Sequence, residues 1–151
     1  YPAVLSDGDF SYSSIFTSEE IRTCAAAVRE CPVFSQRYVH KKYEYRVTIA
    51  GDEVLACRID SQASPKTLID WRHYDFDNVK HEAVMLPDQI NHALLQFMRN
   101  IDLQYGAIDL IEMPDGVFVF LEVNPSGQWG WIHHYAQLPI PEAVARMMAT
   151  A

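Results

Sequence analysis

Residues 106–131 read GAIDLIEMPDGVFVFLEVNPSGQWGW. Asp115-Gly116 is a favoured two-residue hairpin turn, and apolar runs flank it on both sides. Such a turn pairs Pro114 with Val117 and Met113 with Phe118. Counting outward, Asp109 falls opposite Glu122, and opposed residues share a face with Cβ atoms roughly 5 Å apart. Asn124, two residues beyond Glu122, joins that face. Glu112 falls on the other face and is expected to meet solvent. Two carboxylates opposed between apolar neighbours repel, and each loses hydration. A divalent cation reverses the sign of that interaction. Magnesium takes hard oxygen ligands, commonly one or two carboxylates plus phosphate oxygens. Asp109, Glu122 and the Asn124 amide oxygen fit such a site. The same pattern also suits acids at a solvated sheet edge, with Asn124 opening a turn before Pro125. Ser126-Gly127 exposes backbone amides just after these residues, suited to cradling a phosphate or to an ordinary turn.

A second hairpin lies upstream. Tyr43–Ala50 and residues 53–60 alternate in polarity around Gly51-Asp52. That turn pairs Ala50 with Glu53 and Arg46 with Cys57. Arg58 then faces away from Arg46 unless the turn carries a bulge. Arg46 is either a solvated edge residue or a phosphate clamp, because its fork of donors suits phosphate oxygens. Thr17-Ser18-Glu19-Glu20 is a capping box. The helix it opens should run to Glu30, before Pro32, and residues 33–39 read as a strand. Residues 61–87 form a long polar connection. Leu86-Pro87-Asp88 opens a helix with Ile90, Ala93, Leu94, Phe97, Met98 and Ile101 at helical spacing. A short helix is expected over residues 132–137. A last one begins at Pro139-Ile140-Pro141. This order predicts an α+β fold, an antiparallel sheet with helices on one face.

Nearly half of the 151 residues are apolar, enough to bury a real core. The net charge of −8 argues against nonspecific nucleic-acid binding. There is no apolar run of membrane-spanning length and no signal-peptide pattern. A tyrosine at position 1 reads as a processed or cut chain. The odd cysteine count (Cys24, Cys31, Cys57), without metal-ligand spacing, suits reduced thiols in the cytoplasm. Lys41 and Lys42 read as solvated. Trp129 and Trp131 suit either core or an acceptor wall. His133 and His134 are adjacent on a helix and point in different directions.

Asp109 followed after a hairpin by Glu122-Val123-Asn124 resembles the metal motif of the ATP-grasp superfamily. Residues 120–129, FLEVNPSGQW, are similar to its peptide-modifying branch, the microviridin-type ligases that mature ribosomal peptides. Residues 34–47, FSQRYVHKKYEYRV, resemble the hinge and following strand of that branch. Asp60-Ser61-Gln62 and Asp70-Trp71-Arg72 resemble its middle segment. The resemblance covers residues 30–145.

It implies an ATP-grasp-like antiparallel sheet with flanking helices. Residues 1–35 would be a remnant of the first ATP subdomain, with its lid and helix, and residues 36–151 the C-terminal subdomain. It implies an ATP-dependent carboxylate–amine or carboxylate–hydroxyl ligase working through an acyl phosphate. ATP and magnesium (or manganese) would be its cofactors, and a precursor peptide or another carboxylate its partner. Asp109, Glu122 and Asn124 would bind the metal. The backbone of Gln36, Arg37, Tyr38 and Val39 would face adenine, Glu44 would sit near the ribose or hinge, and Arg46 near the phosphates. Apart from the resemblance, Arg58 is a second catalytic candidate on the condition that a bulge brings it to the face of Arg46. Many relatives carry Glu at position 37, so the Arg37 side chain is assigned no role.

The phosphate-binding Lys-Pro of the family falls near Ala3-Val4, where the lysine is missing. A noncatalytic nucleotide- or peptide-binding module of the same fold is therefore the alternative. With most of the first subdomain outside this sequence, residues 1–151 alone are expected to fold but not to turn ATP over. An open apolar face of Ile111, Met113, Phe118 and Phe120 beside the acids is expected to promote a homodimer. No nucleic-acid or membrane partner is expected.

Overall fold

A computed structural model of the chain describes residues 3–4, 10–23 and 34–150. β1 (Ala3–Val4) pairs antiparallel with β2 (Phe10–Ser11) in a small ladder of its own. The main sheet holds β3 (Tyr43–Ala50), β4 (Glu53–Ile59), β5 (His81–Val84), β6 (Tyr105–Glu112) and β7 (Phe118–Asn124) in the order β5-β4-β3-β6-β7. Every neighbouring pair is antiparallel. Gly51 takes φ 62°, the left-handed conformation that the β3–β4 turn needs. Ala50 opposes Glu53 and Arg46 opposes Cys57, as the turn predicts.

Helices α1 (Ser18–Thr23), α2 (Asp88–Asn100), α3 (Gly130–Ala136) and α4 (Ile140–Thr150) complete the described architecture. Sheet and helices make an α+β fold, but the helices cover both faces of the sheet, not one. On one face Tyr45, Val47, Ile49, Ile108 and Leu110 pack with Leu94 and Met98 of α2. On the other, Cys57 and Ile59 pack with Ile132, Ala136 and Ile140 of α3 and α4. Both faces of β3 are buried, so a single covered face could not have satisfied its apolar residues. Cys57 is a free thiol in this core, and burial pushes its pKa up to about 12.

The capping box forms as expected. Thr17 N donates to Glu20 Oε2 at 2.7 Å, and Glu20 N donates to Thr17 Oγ1 at 3.2 Å. The rest of the expected helix, with Cys24, Cys31 and Pro32, lies outside the described residues. Residues 34–39 form no strand. β3 already has β4 on one side and β6 on the other, so it has no free ladder for them. β5 is a strand that the polar stretch 61–87 concealed. Residues 61–80 fold into turns around buried side chains. Ser64 Oγ donates to Asp75 Oδ2 at 2.5 Å, and Thr67 Oγ1 donates to the Ser61 carbonyl at 2.7 Å. Among the described residues no helix is long and apolar enough to cross a membrane.

Candidate functional site

Four strands place one row of side chains across the sheet face that α3 and α4 also cover: Cys57 (β4), Arg46 (β3), Asp109 (β6) and Glu122 (β7). Asp109 and Glu122 are opposed, as counting from the turn predicts, but the route differs. Gly116 N donates to the Met113 carbonyl at 2.9 Å, and Gly116 has φ 84°. Met113 N then donates to the Val117 carbonyl at 2.8 Å, so the loop is one residue longer than a two-residue turn. The pairs near the tip are Glu112–Phe118, Ile111–Val119 and Leu110–Phe120. A register shift follows, in which Leu121 is the extra residue, and Asp109 meets Glu122.

The shift corrects the expected open face. Phe118 and Phe120 turn to the α2 side, where their rings lie 5.3 Å from Tyr45 and 5.0 Å from Phe97. Ile111 stays on the acid face and is buried. Met113 belongs to the loop. Glu112 is on the α2 side but does not face solvent freely. It accepts a short hydrogen bond from the Tyr45 hydroxyl and an ion pair from Lys42 at 3.3 Å.

Arg46 and Asp109 are both buried, with Arg46 Nη1 2.9 Å from Asp109 Oδ1 and 3.0 Å from Oδ2. Burial raises the Asp109 pKa against the pull of Arg46, and the Glu122 charge adds to the rise. Glu122 is exposed. Asn124 Oδ1 accepts from Ser126 N at 2.9 Å, an Asx turn. Its second lone pair stays available to a ligand. A buried carboxylate, an exposed carboxylate opposite it and an amide oxygen form a hard-oxygen donor set that fits magnesium. Among the described residues there is no group of three His, Cys, Asp or Glu side chains placed for a metal, so the candidate rests on two acids and an amide.

The other candidates divide. Glu44 is buried on the same face as Arg46, two residues away on β3. Lys41 Nζ lies 2.7 Å from Glu44 Oε1 and donates to the Ile69 carbonyl at 2.8 Å. Burial raises the Glu44 pKa, with Lys41 opposing. Lys41 is thus a buried ion-pair partner and not a solvated lysine, because the 61–70 loop folds back over it. Arg58 is not brought to the row. The β3–β4 register has no bulge, so Arg58 lies on the α2 side, paired with Glu82 at 2.6 Å and 4.6 Å over the Tyr43 ring. Gln36 and Arg37 are exposed, Tyr38 is 42% exposed and Val39 is half-buried. His133 Nδ1 meets the Leu138 carbonyl at 2.8 Å. Trp129 and Trp131 pack against the second core cluster, and the Trp131 ring lies 5.0 Å from Trp71.

Sequence reasoning gave Arg72 no role. Its guanidinium holds Asp70 at 2.5 Å. The Asp70 hydrogen bond raises the Arg72 pKa most, and the charges of Glu122 and Asp109 add to it. Tyr74, at φ 42°, has its pKa raised by burial, against the charges of Arg46 and Arg72. The string Asp70-Trp71-Arg72 carried the available signal, but spacing could not place the loop over the sheet.

No protein-family model matches the sequence, and no curated protein matches it significantly. Solved structures do. A RiPP-associated ATP-grasp ligase from Chryseobacterium gregarium, solved with ADP and a leader and core peptide, superposes with a TM-score of 0.84 at 26% identity, over 98% of this chain and 46% of that one. The macrocyclase MdnC of Microcystis aeruginosa MRC, bound with precursor peptide MdnA, gives 0.81 at 30% identity, over 100% and 46%. The macrocyclase MdnB of the same organism gives 0.63 at 27%, over 92% and 48%. The chain spans about half the length of these relatives. Its fold is that of the ATP-grasp superfamily. Within that superfamily it is related to the microviridin-type peptide-maturation ligases.

Proposed function

We propose that the intact protein is an ATP-dependent ligase that joins a side-chain carboxylate of a ribosomal precursor peptide to an amine or hydroxyl, forming a lactam or lactone. The carrying observation is the buried Arg46–Asp109 pair in line with Glu122. Similarity to relatives solved with ADP and with precursor peptides supports the substrate class. The ATP γ-phosphoryl group passes to the carboxylate, giving an acyl phosphate and ADP. The amine or hydroxyl then attacks the acyl carbon, and phosphate leaves. Arg46 offsets charge that develops on the transferred group and the acyl oxygen.

Asp109, Glu122 and Asn124 would hold magnesium or manganese. When bound, the metal supplies charge neutralisation at the phosphate oxygens. The backbone of residues 36–39 is proposed to face adenine, with Glu44 beyond it toward the ribose. Residues 1–35 would correspond to part of the first ATP subdomain and residues 36–151 to the C-terminal one. One wall of the cleft alone cannot position both substrates, so turnover is assigned to the intact protein. A cytoplasmic location belongs to the same reading.

A noncatalytic module is favoured by one feature, Ala3-Val4 where the family lysine is expected. The test is ADP release by the intact protein with magnesium, ATP and a candidate precursor peptide, read with the peptide's mass. A loss of about 18 Da per ring, which is one water, supports the ligase. Tight nucleotide binding with an unchanged peptide mass supports the module.

A further inference from the structure

We propose that Gly127 is a positioning residue, whose missing side chain lets the loop after β7 press on the Arg46 guanidinium and hold it against Asp109. Its effect on the reaction rests on the ligase reading above; the steric contact does not. Gly127 is buried. A Cβ built on it would meet Ala107 Cβ at 2.3 Å, Arg46 Nη2 at 3.0 Å and the Asn124 carbonyl oxygen at 3.2 Å. The Ala107 contact is far inside van der Waals range and involves a rigid partner. Ala107 lies on the acid face of β6, two residues from Asp109, and pairs with Asn124.

The loop cannot drift away to make room. Gly127 N donates to the Asn124 carbonyl at 3.2 Å, and the Tyr105 hydroxyl donates to the Gly127 carbonyl at 2.5 Å. Arg46 needs such a wall. Its Nη1 is spent on Asp109, and its buried Nε has no hydrogen-bond partner among the described residues. A long side chain with one anchored nitrogen keeps several rotamers unless packing removes them. Gly127 occupies the space beside Nη2 and removes them. Its φ is not in the left-handed region, so alanine is allowed by the backbone and excluded by space.

The test uses the intact protein with Gly127→Ala, Ala107→Gly and the two combined. Without nucleotide, Gly127→Ala should lower Tm by several degrees, and adding Ala107→Gly should recover most of that loss. Strictly additive losses would overturn the contact. If Gly127→Ala alone fails to fold, a soluble double variant counts as the same recovery. Magnesium–ADP affinity then reads the link to Arg46. Gly127→Ala should weaken it roughly tenfold, but less than twofold in an Arg46→Lys background. Equal weakening in both backgrounds would show that Gly127 does not act through Arg46. A wild-type protein that binds no magnesium–ADP would refute the ligase reading, while the Tm series would still decide the contact.

Discussion

Arg46 and Asp109 are directly opposed on β3 and β6, and one guanidinium nitrogen bridges both carboxylate oxygens at 2.9 and 3.0 Å. The pair is nearly sealed, with side-chain exposures of 9% and 12%. Removing one member leaves a buried charge without compensation, which costs far more than a surface ion pair returns. Arg46→Ala should therefore cost about 3 kcal/mol or more in urea unfolding of the intact protein. A loss below about 1 kcal/mol would mean that water reaches Asp109 and the pair is ordinary surface electrostatics.

Glu122 is the opposite case. It is exposed, so its loss should barely affect folding while removing one of the proposed metal ligands. Glu122→Ala is expected to shift Tm little without ligand and to abolish the extra stabilisation that magnesium–ADP gives the wild type. At ligand one hundred times its Kd, that increment is about 2.7 kcal/mol. Chelating the magnesium should return the wild type to the variant's Tm. An undiminished increment in the variant would remove Glu122 from the metal site.

Asp70 should set part of the acid limb of stability. Burial pushes its pKa up, but hydrogen bonds from Arg72 and the Ser13 amide outweigh that and hold it at about 2, against an ordinary 3.8. The folded state thus favours the charged form. The resulting stability is present above about pH 4 and is lost as pH falls toward 2, amounting to about 2 kcal/mol. Asp70→Asn should be less stable than wild type by about that much near pH 6, with the gap closing by pH 2. A gap independent of pH would mean that Asp70 acts through packing and not through charge.

The Lys41–Glu44 pair is more deeply buried, with side-chain exposures of 3% and 6%. Lys41→Met alone strands the Glu44 carboxylate and should cost about 3 kcal/mol. Replacing both, Lys41→Met with Glu44→Leu, should restore most of that, because neither charge then needs a partner. Urea midpoints of the three proteins decide it. A double variant no better than the single one would show that Lys41 matters chiefly through its bond to the Ile69 carbonyl.

Local pattern made the two long hairpins legible. Two-residue alternation gave β3 and β4, the apolar runs on either side of Asp115-Gly116 gave β6 and β7, and the helical spacing from Ile90 gave α2. The Asp109–Glu122 opposition was legible through two errors that cancelled. Met113-Pro114-Asp115-Gly116 suits a turn with proline second, followed by a left-handed glycine, which makes a three-residue loop. Reading Asp115-Gly116 alone shortened the loop by one, and the unseen extra residue at Leu121 restored the count. The parity of Phe118 and Phe120 was lost in between. Lys41 was illegible for another reason: its burial depends on Ile69, twenty-eight positions away. The side of the sheet that each helix covers was not encoded in its stripe, since α2 and α4 are both amphipathic and only topology separates them.

Leu121 works as a vernier between the two ends of the hairpin. The tip, from Phe118 to Phe120, is set by the turn, whereas the base is set by the close seat of Gly127 on Ala107. Counted back from the tip as an unbroken ladder, Asp109 would meet Leu121, and the two acids would be out of step by one. Counted from the glycine seat, where Ala107 pairs with Asn124, Asp109 meets Glu122, so the acids take their phase from the base of the hairpin and not from its turn.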